Sequence, residues 1–172
     1  SHAVERDMAG TVHSAGVLAD ALLMNQTQAG LHKVWDPKAT TAWTIHTSLC
    51  RVLKEVKPVV LFSSVVALLG NAGQANYSAA NTCLNALSHE RRKYGLAGTS
   101  IQWGAWAGAG MAASAGVVEQ LEKQGFGVVV EEQGVTALEL ALSSVAASVV
   151  GINWAGLNTV NSPPFAKTQL LA

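Results

Sequence analysis

The residues best suited to chemistry lie in one stretch: Leu61-Phe62-Ser63-Ser64, then Gly70-Asn71-Ala72-Gly73-Gln74-Ala75-Asn76-Tyr77-Ser78-Ala79-Ala80-Asn81. An apolar run leads out to Ser64, and a glycine-punctuated loop crosses to a helix that begins at Tyr77. Tyr77 and Asn81 are one helical turn apart and share a face, separated by about 6 Å along the axis. With the run before Ser64 as a buried strand, Ser64 stands at its C-terminal end, where open α/β sheets carry their sites. A hydroxyl, a phenol and an amide then converge at one sheet edge. That set suits the reduction of a ketone, which needs a proton for the developing alkoxide and a donor to hold its oxygen. A tyrosine, with an ordinary pKa of about 10, can supply the proton if a nearby cation brings it toward neutrality. Fixed donors around the oxygen add electrostatic stabilisation.

Four short β-type runs alternating with helices must position these groups, which is the pattern of a parallel α/β sheet. Thr11-Val12-His13, running into Ala15-Gly16, is the first. Val59 to Phe62 is apolar throughout, as a strand buried on both faces should be. Thr99 to Trp103 and Ser148 to Trp154 are the third and fourth. Leu31 to about Lys54 is long enough for one helix broken near Pro37, or for a helix pair. Tyr77 to Tyr94 reads as one helix stopped by Gly95, and Glu131 to Leu142 as another with acids in its first turn. A shorter helix is expected over Ser114 to Gln124. There is no internal repeat.

Composition narrows the function classes. The 172 residues are 49% apolar and 13% charged, with 11 acids against 11 Lys and Arg. Such a chain can build a core and carries no nucleic-acid footprint. The longest apolar stretch, Val59 to Gly70, is broken by Ser63-Ser64 and is too short to span a bilayer. No charged-then-apolar signal segment is read at the start. Cys50 and Cys83 are expected to be free thiols packed as small hydrophobes, which fits a reducing, intracellular and cytoplasmic setting. One absence is informative: no G-x-G-x-x-G precedes Val12, and the glycines from Gly104 to Gly110 follow the third strand. A strand-turn-helix that would grip a dinucleotide pyrophosphate is therefore not found in these residues.

At the level of motifs, Ser64, Tyr77 and Asn81 resemble the short-chain dehydrogenase/reductase superfamily, in particular the ketoreductase domains of polyketide synthases and animal-type fatty acid synthases. Most of that superfamily carries Tyr-x-x-x-Lys. The synthase ketoreductases have Tyr-x-x-x-Asn and take their lysine from the preceding helix, usually within a Pro-Lys pair. This chain has Tyr77-Ser78-Ala79-Ala80-Asn81 and Asp36-Pro37-Lys38. Val12-His13-Ser14-Ala15-Gly16-Val17-Leu18 is similar to the family's strand and turn against the cofactor, and Thr99 to Trp106 to its segment near the nicotinamide. Gly110-Met111 resembles the start of the substrate lid, and Gly151 to Trp154 the last strand. The resemblance runs from about Gly10 to Leu157.

It implies a Rossmann-type parallel sheet with flanking helices, the later half of the fold with its first βαβ units missing. It implies NADPH as cofactor, and an acyl carrier protein presenting a phosphopantetheine-linked β-ketoacyl chain as partner, alongside the remaining synthase domains. Tyr77 would donate the proton and Ser64 would bind the ketone oxygen. Lys38 would lower the tyrosine pKa and contact the cofactor ribose, and Asn81 would orient that lysine or a relay water. Ala15, Gly16, Trp103 and Gly104 would line the cofactor. The spacing of thirteen residues to Tyr77 selects Ser64 over Ser63. Asp20, Leu69 and Met111 would bear on substrate and stereochemistry. Leu18-Ala19-Asp20 keeps the second acid of the family's Leu-Asp-Asp motif, and Leu69 replaces the tryptophan of the opposite type, so the product leans toward the D-hydroxy configuration.

The remaining polar clusters read as structural. His13 has no second ligand at metal spacing, and His89-Glu90-Arg91-Arg92 lacks the last histidine of H-E-x-x-H. Arg91-Arg92-Lys93 complements a helix C-terminus. Residues 1–158 are read as a partial ketoreductase catalytic domain, and 159–172, with Ser162-Pro163-Pro164, as a linker or exit segment. The expected function is reduction of a carrier-bound β-ketoacyl thioester, with the isolated chain binding NADPH weakly and inactive by itself. The alternatives are a stand-alone reductase of free ketones and a non-catalytic half-domain.

Overall fold

The computed structural model describes residues 9–52, 58–107, 119, 126–143, 147–149 and 151–152. Strand β1 (Thr11–His13) is followed by helix α1 (Gln28–Trp35), a π turn (Asp36–Thr40) and helix α2 (Thr41–Val52). Strand β2 (Val59–Ser64), the short α3 (Val66–Leu69) and the long α4 (Ala75–Lys93) come next. Then follow β3 (Thr99–Trp103), β4 (Phe126–Gly127), α5 (Glu131–Ser143), β5 (Ala147–Val149) and β6 (Gly151–Ile152). The main sheet has the order β1-β2-β3-β5 and every pairing in it is parallel.

The alternation of β2 builds two cores at once, because successive side chains leave a strand on opposite faces. Val59 and Leu61 pack with Ala42 of α2 and Leu84 and Leu87 of α4. Val60 packs the other way, with Ile101 and Trp103 of β3 and Val129, while Phe62, Trp106, Ala137 and Leu138 close around them. A third cluster joins α1 to α4 through Val34, Tyr77 and Ala80. Helices thus cover both faces, and the C-terminal ends of β1, β2 and β3 open on one edge.

Three local outcomes differ from the sequence expectations. The helical stretch around Pro37 is neither broken nor split. A proline has no N–H and its ring collides with the carbonyl four residues back, and widening the ladder into the π turn accommodates it while the helix continues. Helix α4 begins two residues before Tyr77, at Ala75. Its end is a Schellman arrangement: Gly95 at φ 72°, Gly95 N donating to Arg92 O, and Leu96 N donating to Arg91 O. The described part of Ser148–Trp154 divides, with β5 on the main sheet and β6 pairing antiparallel with β4.

Arg91 and Arg92 turn inward to this helix end, donating to Ala97 O and Gly98 O respectively. Both cysteines are free; Cys83 is half-buried, but Cys50 is exposed and not packed as a small hydrophobe. Its Sγ lies 3.5 Å from His46 Nδ1, which in turn meets Arg91 of α4 at 2.7 Å. No helix among the described residues is long and apolar enough to cross a membrane, and none of them form a cluster of metal ligands. Met111, Trp154, the segment 159–172 and, apart from Glu119, the helix expected over Ser114–Gln124 lie outside the described residues.

Candidate active site

Lys38 arrives at the sheet edge because the π turn rotates it inward. Its side chain is buried to 3% exposure, and Nζ donates to the Phe62 carbonyl oxygen at 3.0 Å. The ammonium lies over the Tyr77 ring, 5.2 Å from the centroid. Gly16, just beyond β1, makes room for it: a Cβ there would stand 2.7 Å from Lys38 Cε. Burial depresses the lysine's pKa from 10.5 to about 8.

Tyr77 sits in the first turn of α4, buried to 7% exposure. Burial pushes its phenol up, the Asn81 and Ser64 side chains pull it down, and the Asp20 carboxylate raises it again. The net direction is upward, opposite to the lowering that the resemblance implies. The loss of solvation outweighs the neighbouring polar groups, since a buried phenolate is costly.

Strand alternation separates the two serines. Ser63 turns toward α4 and donates from Oγ to Asn81 O at 3.2 Å, whereas Ser64 Oγ accepts from Val66 N at 3.2 Å and lies near the phenol. Asn81 is fully buried. Its Nδ2 donates to Tyr77 O at 2.8 Å, and its Oδ1 has no partner among the described residues. A buried acceptor left this way costs about 1–3 kcal/mol, so the atom is disposed to take an N–H or a water proton.

The remaining candidates fall into two groups. Ala15, Gly16 and Gly104 follow the C-terminal ends of β1 and β3, on the same edge as Ser64. The Trp103 indole instead belongs to the core beneath, against Phe62 and Trp106 with ring centroids 5.3 and 4.9 Å away. Asp20 is exposed, and Leu69 is half-buried at the end of α3.

Two residues of the loop and first turn before Tyr77, Gln74 and Asn76, have a role that their types and spacing do not signal. Gln74 Nε2 donates to Asp20 Oδ2 at 3.0 Å, and Asn76 Nδ2 donates to Ala19 O at 2.8 Å. With Ala21 N donating to Gly73 O, they tie the segment after β1 to the loop before Tyr77. Their partners lie more than fifty residues away, so no local pattern could have pointed to them.

The arrangement can hold a carbonyl oxygen between a hydroxyl and a phenol, beside a buried cation. The residues also fit a nicotinamide nucleotide. Gly16 leaves the lysine clear of side-chain atoms at the edge, Lys38 offers an ammonium, and the orphaned Asn81 oxygen can order a water or a donor.

Known proteins resemble this chain in sequence and in fold. Residues 1–108 match the family described as "KR domain". The chain is 41% identical over 143 residues to the spectinabilin polyketide synthase system protein NorB of Streptomyces orinoci, covering 81% of this chain and 6% of that protein. It is 36% identical over 154 residues to the phthioceranic/hydroxyphthioceranic acid synthase of Mycobacterium tuberculosis, covering 84% of this chain and 7% of the relative. Among solved structures, an A-type ketoreductase from a modular polyketide synthase superposes with a TM-score of 0.81 at 33% identity, covering 90% of this chain and 34% of that one.

Proposed function

Because the chain belongs to the KR domain family, the ketoreductases of polyketide synthases, we propose that it carries the proton-donating centre for NADPH-dependent reduction of a β-ketoacyl thioester to the β-hydroxyacyl thioester. The chain spans 6% and 7% of the length of the two curated synthases compared and about a third of the solved ketoreductases. The reaction is therefore assigned to the whole protein of which these residues form the catalytic edge. The observation that carries the proposal is the meeting of Lys38 and Tyr77. The lysine comes from a Pro-Lys π turn and not from the helix of the tyrosine, where position 81 is asparagine.

Bound NADPH would supply the hydride, with Lys38, Ala15, Gly16, Gly104 and Tyr77 as the groups around it. The ketone oxygen takes a hydrogen bond from Ser64 Oγ and the proton from Tyr77 Oη. Retaining the proton until charge develops on that oxygen suits a phenol whose pKa burial has raised, and the Lys38 ammonium stabilises the tyrosinate left behind. Asn81 Oδ1 then receives a water or the lysine for reprotonation. One ketone, one hydride and one proton give one alcohol. The substrate would arrive on the phosphopantetheine arm of an acyl carrier protein, with the tied segment around Asp20 forming one wall of its approach.

The test is label transfer. The intact protein is supplied with NADPH deuterated at the transferable position and with a β-ketoacyl chain, either on a carrier protein or as a free simple ketone. The proposal expects deuterium at C3 of the β-hydroxyacyl thioester, in the D-hydroxy configuration, and at most trace reduction of the free ketone. Faster turnover of the free ketone would replace this reading with a stand-alone reductase.

A further inference from the structure

We propose that His13 is a positioning residue for the reduction: it fixes the π turn that presents Lys38 by holding the lysine's own carbonyl oxygen. The inference rests on the function proposed above for its kinetic consequence, but not for its structural one. His13 is the last residue of β1 and is buried to 4% exposure. Its Nε2 lies 3.0 Å from Lys38 O, across 25 residues of sequence.

A carbonyl oxygen only accepts, so Nε2 carries the hydrogen, and in the neutral ring Nδ1 is bare. Burial holds the imidazole's pKa below its ordinary value and the Lys38 charge acts in the same direction, while the bond to the carbonyl opposes them. The ring is thus a neutral donor whose single proton is committed to the main chain. Committed in this way, the ring has a mechanical role.

The need for such a clamp follows from the π turn. An i+5 ladder is a local defect in a helix, forced here by Pro37 and held open by its contacts. Lys38 is anchored at both ends: its main chain by His13, its ammonium by Phe62 O. Release of the first anchor lets the turn repack as two helices about Pro37, and Nζ leaves its place over Tyr77. The titratable groups facing Lys38 are His13 from β1 and Tyr77 from α4, with Asp20 beyond the tyrosine; Asp36 and His32 lie on the exposed outer side.

The variants are His13→Leu, which keeps bulk and removes the donor, and His13→Gln, which keeps an N–H that can reach. Both are made in the intact polypeptide that contains this chain. Two readouts are taken: the pH dependence of Lys38 acetylation by acetic anhydride, followed by mass spectrometry of its peptide, and the steady-state constants with NADPH. In His13→Leu the Lys38 titration, at about 8 in the parent, moves up toward that of a free lysine. KM for NADPH then rises about tenfold, within the range expected when a positioned group is displaced by of order 1 Å. His13→Gln restores both. Should His13→Leu not fold, His13→Met, which likewise lacks a donor, takes its place with the same expectation. An unchanged Lys38 titration in the donor-less variant, or a Gln variant as impaired as the Leu one, overturns the proposal. Absence of any reduction by the parent protein would refute the proposed function, while the acetylation titration would still decide the role of His13.

Discussion

Lys38 is held in a place that costs the fold stability. Its pKa in the folded chain is about 8 against 10.5 for the unperturbed group, so between those values the unfolded state binds more protons. Stability therefore rises with pH across that window, and below it the full penalty of a buried ammonium applies. Lys38→Met is expected to raise unfolding stability by about 1–3 kcal/mol at pH 7, after the loss of the bond to Phe62 O is counted. The gain should vanish above pH 10.5, where the lysine is neutral in both states. Denaturant titrations of both proteins at the two pH values check this. The same lysine shows what was legible at this scale. Types and spacing singled out Ser64, Tyr77 and Asn81, and the Pro-Lys pair singled out Lys38 through its resemblance. The clamps on them were not legible, because His13, Gln74 and Asn76 act through partners 25 to 57 residues away.

Among the elements, β2 was legible because burial on both faces writes the continuous apolar run Val59 to Phe62, and β3, which mixes polar and apolar residues, through its β-branched and aromatic content. The π turn was not, since a proline in a helical pattern signals interruption and says nothing of a widened ladder. Strand β4 was missed because a two-residue pairing leaves no periodicity. Helix α5 docks by a close approach: a Cβ on Gly134 would stand 2.1 Å from Trp106 Cη2. That indole is wedged against Trp103, with ring centroids 4.9 Å apart, so it has little room to yield. Gly134→Ala should destabilise the protein by about 1–3 kcal/mol, the usual cost of overpacking, despite alanine's better helix propensity. A stabilised variant in denaturant unfolding would show that α5 does not pack on Trp106 in this way.

For the whole molecule, the parallel α/β class and the short-chain reductase fold read from the sequence agree with the sheet order and with the solved ketoreductases. All the strand ends that matter face one edge, and the proposed chemistry is concentrated there. Among the described residues β1 has a single neighbour, β2, and Val12 is 55% exposed. The cofactor and substrate proposals belong to the whole protein, since the chain spans about a third of the solved ketoreductase compared. The most direct test of the account compares that protein with its Tyr77→Phe variant, following NADPH oxidation with a β-ketoacyl thioester and NADPH binding by fluorescence. The account predicts that reduction falls by about 10²- to 10⁴-fold, the usual worth of a general acid, while NADPH binding stays within a few-fold of the parent, roughly 1 kcal/mol or less. A Tyr77→Phe protein that reduces the thioester as fast as the parent would contradict it.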